Sequence, residues 1–246
     1  MRSRLDAEMA RRGLAESRET ARRLVMAGRV RVNSRPADKP DLRVSPETVI
    51  AIVGSDPEYA SRGAYKLVAA LDHFGVAVEG RRALDVGAST GGFTDVLLKR
   101  GAVHVVALDV GYGQLVDRIR TDARVTVLDR TNIRLVRAEG LPYRPDLITI
   151  DTSFISLKLV LPAVLALAAP KAEIIALVKP QFEVGKGKVG KGGIVRDEAL
   201  RQNALEGILS FASELGLQVA GSIDSPIEGA KGNREFLAVM RFEGGL

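Results

Sequence analysis

The 246-residue chain has no cysteine and only two histidines, His73 and His104. That excludes disulfide staples and thiolate metal sites, and it leaves too few imidazoles for a zinc enzyme, so no metal is expected. Long apolar runs are also missing. The longest, Leu159 to Ala169, is about half of what a bilayer-crossing helix needs. The basic N-terminus is not followed by an apolar signal segment. A soluble, cytoplasmic protein with no membrane partner is the expectation. With 46% hydrophobic residues, the chain can build a real core, as one large domain or as a medium domain with a small appendage.

The formal charge of +6 is unevenly distributed. Residues 1 to 50 hold eleven arginines and one lysine against seven acids. A charge run of this kind is often no more than a solvated face. Concentrated on a separable module, however, arginine is the electrostatic footprint of a phosphate-backbone binder.

In that module Leu5, Met9 and Leu14 mark one helix face, Ser17 caps a second helix carrying Leu24 and Val25, and Gly28 ends it. Arg29-Val-Arg-Val-Asn33 then alternates as a half-buried strand does, with Thr48 to Val53 as its partner. Arg4-Leu-Asp, Ser17-Arg18, the Ala21-to-Gly28 helix and Gly28-Arg-Val-Arg-Val-Asn33 resemble the S4 RNA-binding domain across residues 2 to 54. The resemblance implies RNA contacts from Arg4, Arg18, Arg22, Arg23, Arg29 and Arg31. The expected organisation is an S4-like α+β domain over 1–54, a linker over 55–61 and a second domain over 62–246.

In the second module apolar strand-like runs alternate with helical ones, which implies a doubly wound α/β sheet with Rossmann-like winding. Strands are expected at Arg82–Val86, His104–Asp109, Val125–Asp129, Leu147–Asp151 and Glu173–Lys179, with a final strand pair after them. The first strand runs into a turn and helix through Gly87, Ser89, Gly91, Gly92 and Phe93, the local design of a nucleoside-cofactor site. A dinucleotide fingerprint would have glycine where Ser89 stands. An anionic Asp85 beside the turn would repel a pyrophosphate but suit a cationic amino-acid group. S-adenosyl-L-methionine carries such a group and no phosphate. Asp109, 24 residues beyond Asp85, is spaced to hold ribose hydroxyls, and Asp129 would lie near the adenine edge. Any one of these acids alone could equally cap a following helix.

Gly185-Lys-Gly-Lys-Val-Gly-Lys-Gly192 nearly spells a phosphate-binding loop, but Gly192 replaces the hydroxyl residue that would hold Mg²⁺. Lys186, Lys188 and Lys191 instead suggest a cationic loop that orders over RNA.

Four charged residues remain beside the presumed ligand edge: Lys66, Asp151, Lys179 and Glu235. A plain salt-bridge lattice is one reading of them. The other is methylation of a ribose hydroxyl, in which a lysine of lowered pKa, Lys179, takes the proton while Lys66, Asp151 and Glu235 position it. Ser61-Arg-Gly-Ala-Tyr-Lys-Leu67, Leu84-Asp-Val-Gly-Ala-Ser-Thr-Gly-Gly-Phe-Thr-Asp95, Asp151-Thr-Ser-Phe-Ile-Ser156, Leu177-Val-Lys-Pro-Gln-Phe-Glu183 and Gly232-Asn-Arg-Glu-Phe236 resemble the TlyA family of rRNA ribose 2′-O-methyltransferases. These combine an S4 domain with an FtsJ-like catalytic domain. The resemblance implies a Lys-Asp-Lys-Glu catalytic set at the four residues just named. It also implies cytidine targets in large-subunit RNA, joined in some members by the small subunit; the compact ends favour the first. The chain departs from some relatives at Tyr59-Ala60, where they carry Trp-Val. Three other readings compete: a non-catalytic ribosome-assembly factor, a membrane-active haemolysin, which no spanning or amphipathic segment supports, and a dehydrogenase, which Ser89 and Asp85 disfavour.

Overall fold

A computed structural model describes residues 2–244 apart from 27, 38, 54–57, 186, 188, 191, 230 and 231. The chain divides into two compact units, Met1–Glu58 and Tyr59–Leu246.

In the first unit β1 (Ser3–Arg4) pairs antiparallel with β4 (Arg43–Val44), while β2 (Val30–Val32) lies between β3 (Arg35–Pro36) and β5 (Ile50–Ile52). Helices α1 (Leu5–Arg11) and α2 (Arg18–Met26) cover a core of Leu5, Met9, Ala21, Val25, Val30, Ala37 and Val44. Ser17 caps α2 by accepting the Thr20 N–H at 3.1 Å. The expected helix through Leu14 stops at Arg11, because Gly13 turns the chain at φ +69° and Leu14 packs from the turn instead. So small a core needs polar staples. Buried Glu8 accepts from Ser3 and from the guanidinium groups of Arg11 and Arg12, and Arg12 also donates to the carbonyls of Ser45, Pro46 and Thr48.

The second unit is a seven-stranded sheet. Its parallel strands are β6 (Arg82–Val86), β7 (His104–Leu108), β8 (Val125–Leu128), β9 (Leu147–Ile150) and β10 (Lys171–Val178). Two later strands, β11 (Gln218–Asp224) and β12 (Phe236–Glu243), complete the order β11-β12-β10-β9-β6-β7-β8. The final strand pair brings the antiparallel element: β12 runs antiparallel to both of its neighbours, β10 and β11.

Alternate residues of each strand face opposite layers. Leu84 and Val86 pack with α6 (Leu157–Leu167) and α8 (Glu198–Glu214). Ala83 packs with α3 (Ala64–Phe74) and α4 (Gly92–Lys99), beside the short α5 (Asp117–Arg120). Two 3-10 turns, Ile133–Leu135 and Ala138–Gly140, and the one-turn α7 (Pro180–Glu183) finish the connections. Within this unit Asp95 accepts the Ala60 N–H at 2.8 Å and is paired with Arg118, tying the segment after residue 58 to α4.

The chain winds from β6 outward to β8, then crosses back to β9 on the other side of β6. Between the C-terminal ends of β6 and β9 the following loops part, and this is where open α/β sheets bind ligands.

Candidate active site

A cleft opens at that switch point, lined by Ser61, Gly87, Ser89, Gly92, Phe93 and Asp151 among others. Gly87 sits at φ +88°, and a Cβ there would lie 2.5 Å from the Asp151 carbonyl oxygen. The two strand ends can therefore touch only at glycine. Ser89 adopts φ +47° and donates its N–H to Asp109 Oδ2 at 2.8 Å. Asp109 Oδ1 takes the Gly111 N–H at 2.7 Å. Asp129 accepts the Gly113 N–H at 3.0 Å and the Arg120 guanidinium at 3.2 Å. Both acids stand at the strand ends, where they organise the rim loops and keep lone pairs free for a ligand.

Two expected cleft residues are placed differently. Asp85 does not face the turn as an open carboxylate: it is completely buried beneath it, accepting the hydroxyls of Thr94 at 2.6 Å and Thr149 at 2.9 Å. Its side chain points into the sheet–helix layer because β6 alternates, and the β6–β9 register sets Thr149 directly opposite it. Burial pushes its carboxyl up to about 6, opposed by the two threonine hydroxyls and assisted by the charge of Asp151. Gly91, at φ +96°, leaves room for Ile119 and Leu115 of the neighbouring layer and is not part of the cleft wall.

The four charged residues meet as two ion pairs. Lys66 Nζ lies 2.6 Å from Glu235 Oε2, and Lys179 Nζ lies 2.6 Å from Asp151 Oδ1. Lys179 also donates to Ser153 Oγ at 2.9 Å. Lys66, Lys179 and Glu235 are buried, with residue exposures of 7%, 8% and 2%. The ladder explains the meeting. Val178 pairs with Phe236, so Lys179 and Glu235 flank the same antiparallel rung, and Asp151 leaves the adjacent parallel strand. Lys66 reaches in from the first turn of α3. Among the described residues no ion pair joins one lysine to the other's carboxylate, so the set is not a continuous lattice. Gln181 donates to the second Glu235 oxygen at 3.1 Å.

Three neighbours carry no periodic signal in the sequence. Ser153 holds Lys179. Glu183, its carboxyl raised by burial, accepts from Ser156 Oγ at 2.6 Å and from the Leu157 N–H at 2.9 Å, pinning the loop after β9. Phe154 adopts φ +64° with its ring 91% exposed and 5.1 Å from that of Phe182. A bulky residue held in the left-handed region is uncommon and stores backbone strain. Its place inside Asp151-Thr-Ser-Phe was the one available hint.

In the first unit Arg22, Arg23 and Arg31 are exposed and Arg29 is half-buried. Arg4 and Arg18 both engage buried Asp6, at 2.9 and 3.2 Å, holding its carboxyl down at about 2. Lys186, Lys188 and Lys191 lie outside the described residues.

A Rossmann-like sheet of this strand order, with a glycine turn at its switch point, has the fold of S-adenosylmethionine-dependent methyltransferases. The FtsJ-like methyltransferase family matches residues 59–242 and the S4 domain residues 3–50. The chain belongs to the TlyA family, FtsJ-like methyltransferases that carry an S4 domain. It is 53% identical to the 16S/23S rRNA (cytidine-2′-O)-methyltransferase TlyA of Mycobacterium tuberculosis, over 98% of this chain and 90% of that one. The 23S rRNA (cytidine-2′-O)-methyltransferase TlyA of Campylobacter jejuni is 38% identical, over 72% of this chain and 69% of the other. A solved structure from Streptococcus thermophilus, labelled a hemolysin, superposes with a TM-score of 0.76 at 42% identity, covering 98% of this chain and 88% of its own. Among the described residues no helix is long and apolar enough to cross a membrane.

Proposed function

We propose that this chain moves the methyl group of S-adenosyl-L-methionine to the ribose 2′-hydroxyl of a cytidine in ribosomal RNA, with large-subunit RNA the first substrate and small-subunit RNA a second. One observation carries the reading: Asp151 lines the glycine-turn cleft and pairs at 2.6 Å with buried Lys179, which supports an amine within reach of whatever the cleft holds.

The donor set fits this cofactor. Asp109 and Asp129 at the rim, with Asp85 buried behind the turn, suit a cationic, hydroxyl-bearing ligand and would repel a diphosphate. Asp109 would hold ribose hydroxyls, Asp129 would lie at the adenine edge, and Gly87, Ser89, Gly92 and Phe93 would form the close-fitting wall. When bound, the cofactor supplies an electrophilic methyl on an excellent leaving group. The protein must align the attack and remove a proton from a weakly acidic alcohol.

Lys179 Nζ, after its ammonium has released a proton to solvent, takes the proton of the 2′-hydroxyl as a neutral amine. Asp151 and Ser153 aim the amine, and Asp151 stabilises the ammonium that forms. The Lys66–Glu235 pair, alongside on the same rung, fixes the other wall and orients the target ribose. Phe154 offers a ring on which a nucleobase drawn out of the RNA can stack. Arg22, Arg23, Arg29 and Arg31 of the first unit supply phosphate contacts, aided by Arg4 and Arg18, and Lys186, Lys188 and Lys191 are assigned the same role.

The test combines ribose-methylation mapping on ribosomal subunits with calorimetry. The wild-type chain should take up S-adenosyl-L-methionine and modify cytidine. Lys179→Met should lower methyl transfer by about 10²-fold or more while cofactor affinity stays within about twofold. Unchanged turnover removes Lys179 as the base, and absence of cofactor uptake by the wild type removes the whole reading.

A further inference from the structure

We infer that Gln181 is a positioning residue for the reaction: its side-chain amide couples the two lysine–carboxylate pairs. The inference rests on the methyl-transfer reading above and adds a residue to it.

Pro180 opens α7 immediately after Lys179, so Gln181 is carried on the same rigid turn as the base. Its Nε2 donates to Glu235 Oε1 at 3.1 Å, while Oε2 of the same carboxylate receives Lys66 Nζ at 2.6 Å. Both oxygens of a carboxylate that is only 2% exposed are thus filled from opposite sides. The amide cannot be reversed, because its own oxygen would then face the carboxylate oxygen. The orientation leaves Gln181 Oε1 buried with no hydrogen-bond partner among the described residues. A buried acceptor left unpaired is costly and uncommon, and it is retained where the other end of the group is needed.

Gln181 does not line the cofactor cleft and caps no helix. Its only described hydrogen bond is the one to Glu235. A continuous linkage follows: Lys66 to Glu235, Glu235 to Gln181, Gln181 through the backbone of Pro180 to Lys179, and Lys179 through its ion pair to Asp151. Movement of either pair is transmitted to the other through this amide. The two halves of the site, one on α3 and β12 and the other after β9 and β10, keep their register at the reacting atoms.

The test uses the full chain with S-adenosyl-L-methionine and ribosomal subunits, alongside lysine side-chain ¹⁵N spectra of the free protein. Gln181→Leu keeps the volume and removes the donor. It should lower kcat about ten- to a hundredfold, the scale of one hydrogen bond to a charged group, with KM for the cofactor within about twofold. It should also move the Lys66 Nζ resonance. Gln181→Glu sets two carboxyls side by side that must share one proton. Its kcat relative to wild type should be near one at low pH and fall as pH rises. Unchanged kcat in Gln181→Leu overturns the inference. So does a loss in which kcat, cofactor KM and the backbone amide spectrum shift together, because that describes general structural damage. A wild-type chain inactive on RNA strikes the methyl-transfer reading alone, since the Lys66 resonance reports the coupling without turnover.

Discussion

Asp85 lies beneath the glycine turn with its carboxylate completely buried. Its two threonine partners, Thr94 on α4 and Thr149 on β9, make it the pin between the glycine-turn helix and the sheet. Its folded pKa of about 6 lies above the ordinary carboxylate value. The stability it contributes is therefore fully present below about pH 4 and is lost as pH rises through about 6, amounting to roughly 2–4 kcal/mol for a shift of this size. Asp85→Asn keeps one acceptor for Thr94 and can donate to Thr149, whose hydroxyl is free to turn. We expect the melting temperature of this variant, relative to wild type, to climb between pH 4 and pH 7.5. Melting curves that run parallel across that interval would show that Asp85 is not the buried titrating group.

At the scale of elements, the switch point depends on β6 and β9 approaching within contact at Gly87. Gly87→Ala brings a Cβ to 2.5 Å from the Asp151 carbonyl and forces a side chain into φ +88°. Both faults act on the loop that carries Asp151, so cofactor binding and turnover should both fall by more than about tenfold, with a loss of roughly 1–3 kcal/mol in stability. Calorimetry and chemical denaturation measure the two effects, and a variant binding the cofactor as the wild type does would show that the loop has room to give.

The strands that built this site were readable in the sequence because each is a short apolar run ended by Asp109, Asp129, Asp151 or Lys179. Their arrangement was less readable. The direction of β12 depends on pairing between residues 58 to 72 positions apart in the chain. The burial of Asp85 depends on which face alternation presents, and a one-residue change of register reverses it. The two-residue strands β1, β3 and β4 are too short to show any period. The four charged residues could be listed beforehand, but not which lysine pairs with which acid. Ser153, Glu183 and Phe154 become meaningful only once the loop after β9 is seen lying against α7.

Across the whole molecule, the arginine surplus of the first fifth divides into two uses. Arg11 and Arg12 bind Glu8, and Arg4 and Arg18 bind Asp6, so these hold a small core together, with Arg4 and Arg18 left exposed enough to serve the proposed phosphate contacts as well. Arg22 and Arg23 stand exposed on α2. Replacing both with alanine should weaken RNA association and reduce the slope of log affinity against log salt by roughly one to two, with little change in folding. Filter-binding titrations at several salt concentrations check this, and an unchanged slope would move the RNA handle elsewhere on the chain.

The Lys66–Glu235 pair joins residues 169 positions apart, from the first helix of the catalytic unit to the threshold of its last strand. During synthesis Lys66 emerges long before its counter-ion, and the antiparallel closing strand must be threaded between β10 and β11 before the two can meet. The Lys66–Glu235 pair therefore cannot form before residue 235 has been made. On the mechanism proposed above, a polypeptide that has not yet reached residue 235 carries the glycine turn but lacks the carboxylate that Lys66 pairs with, and is expected not to alkylate RNA.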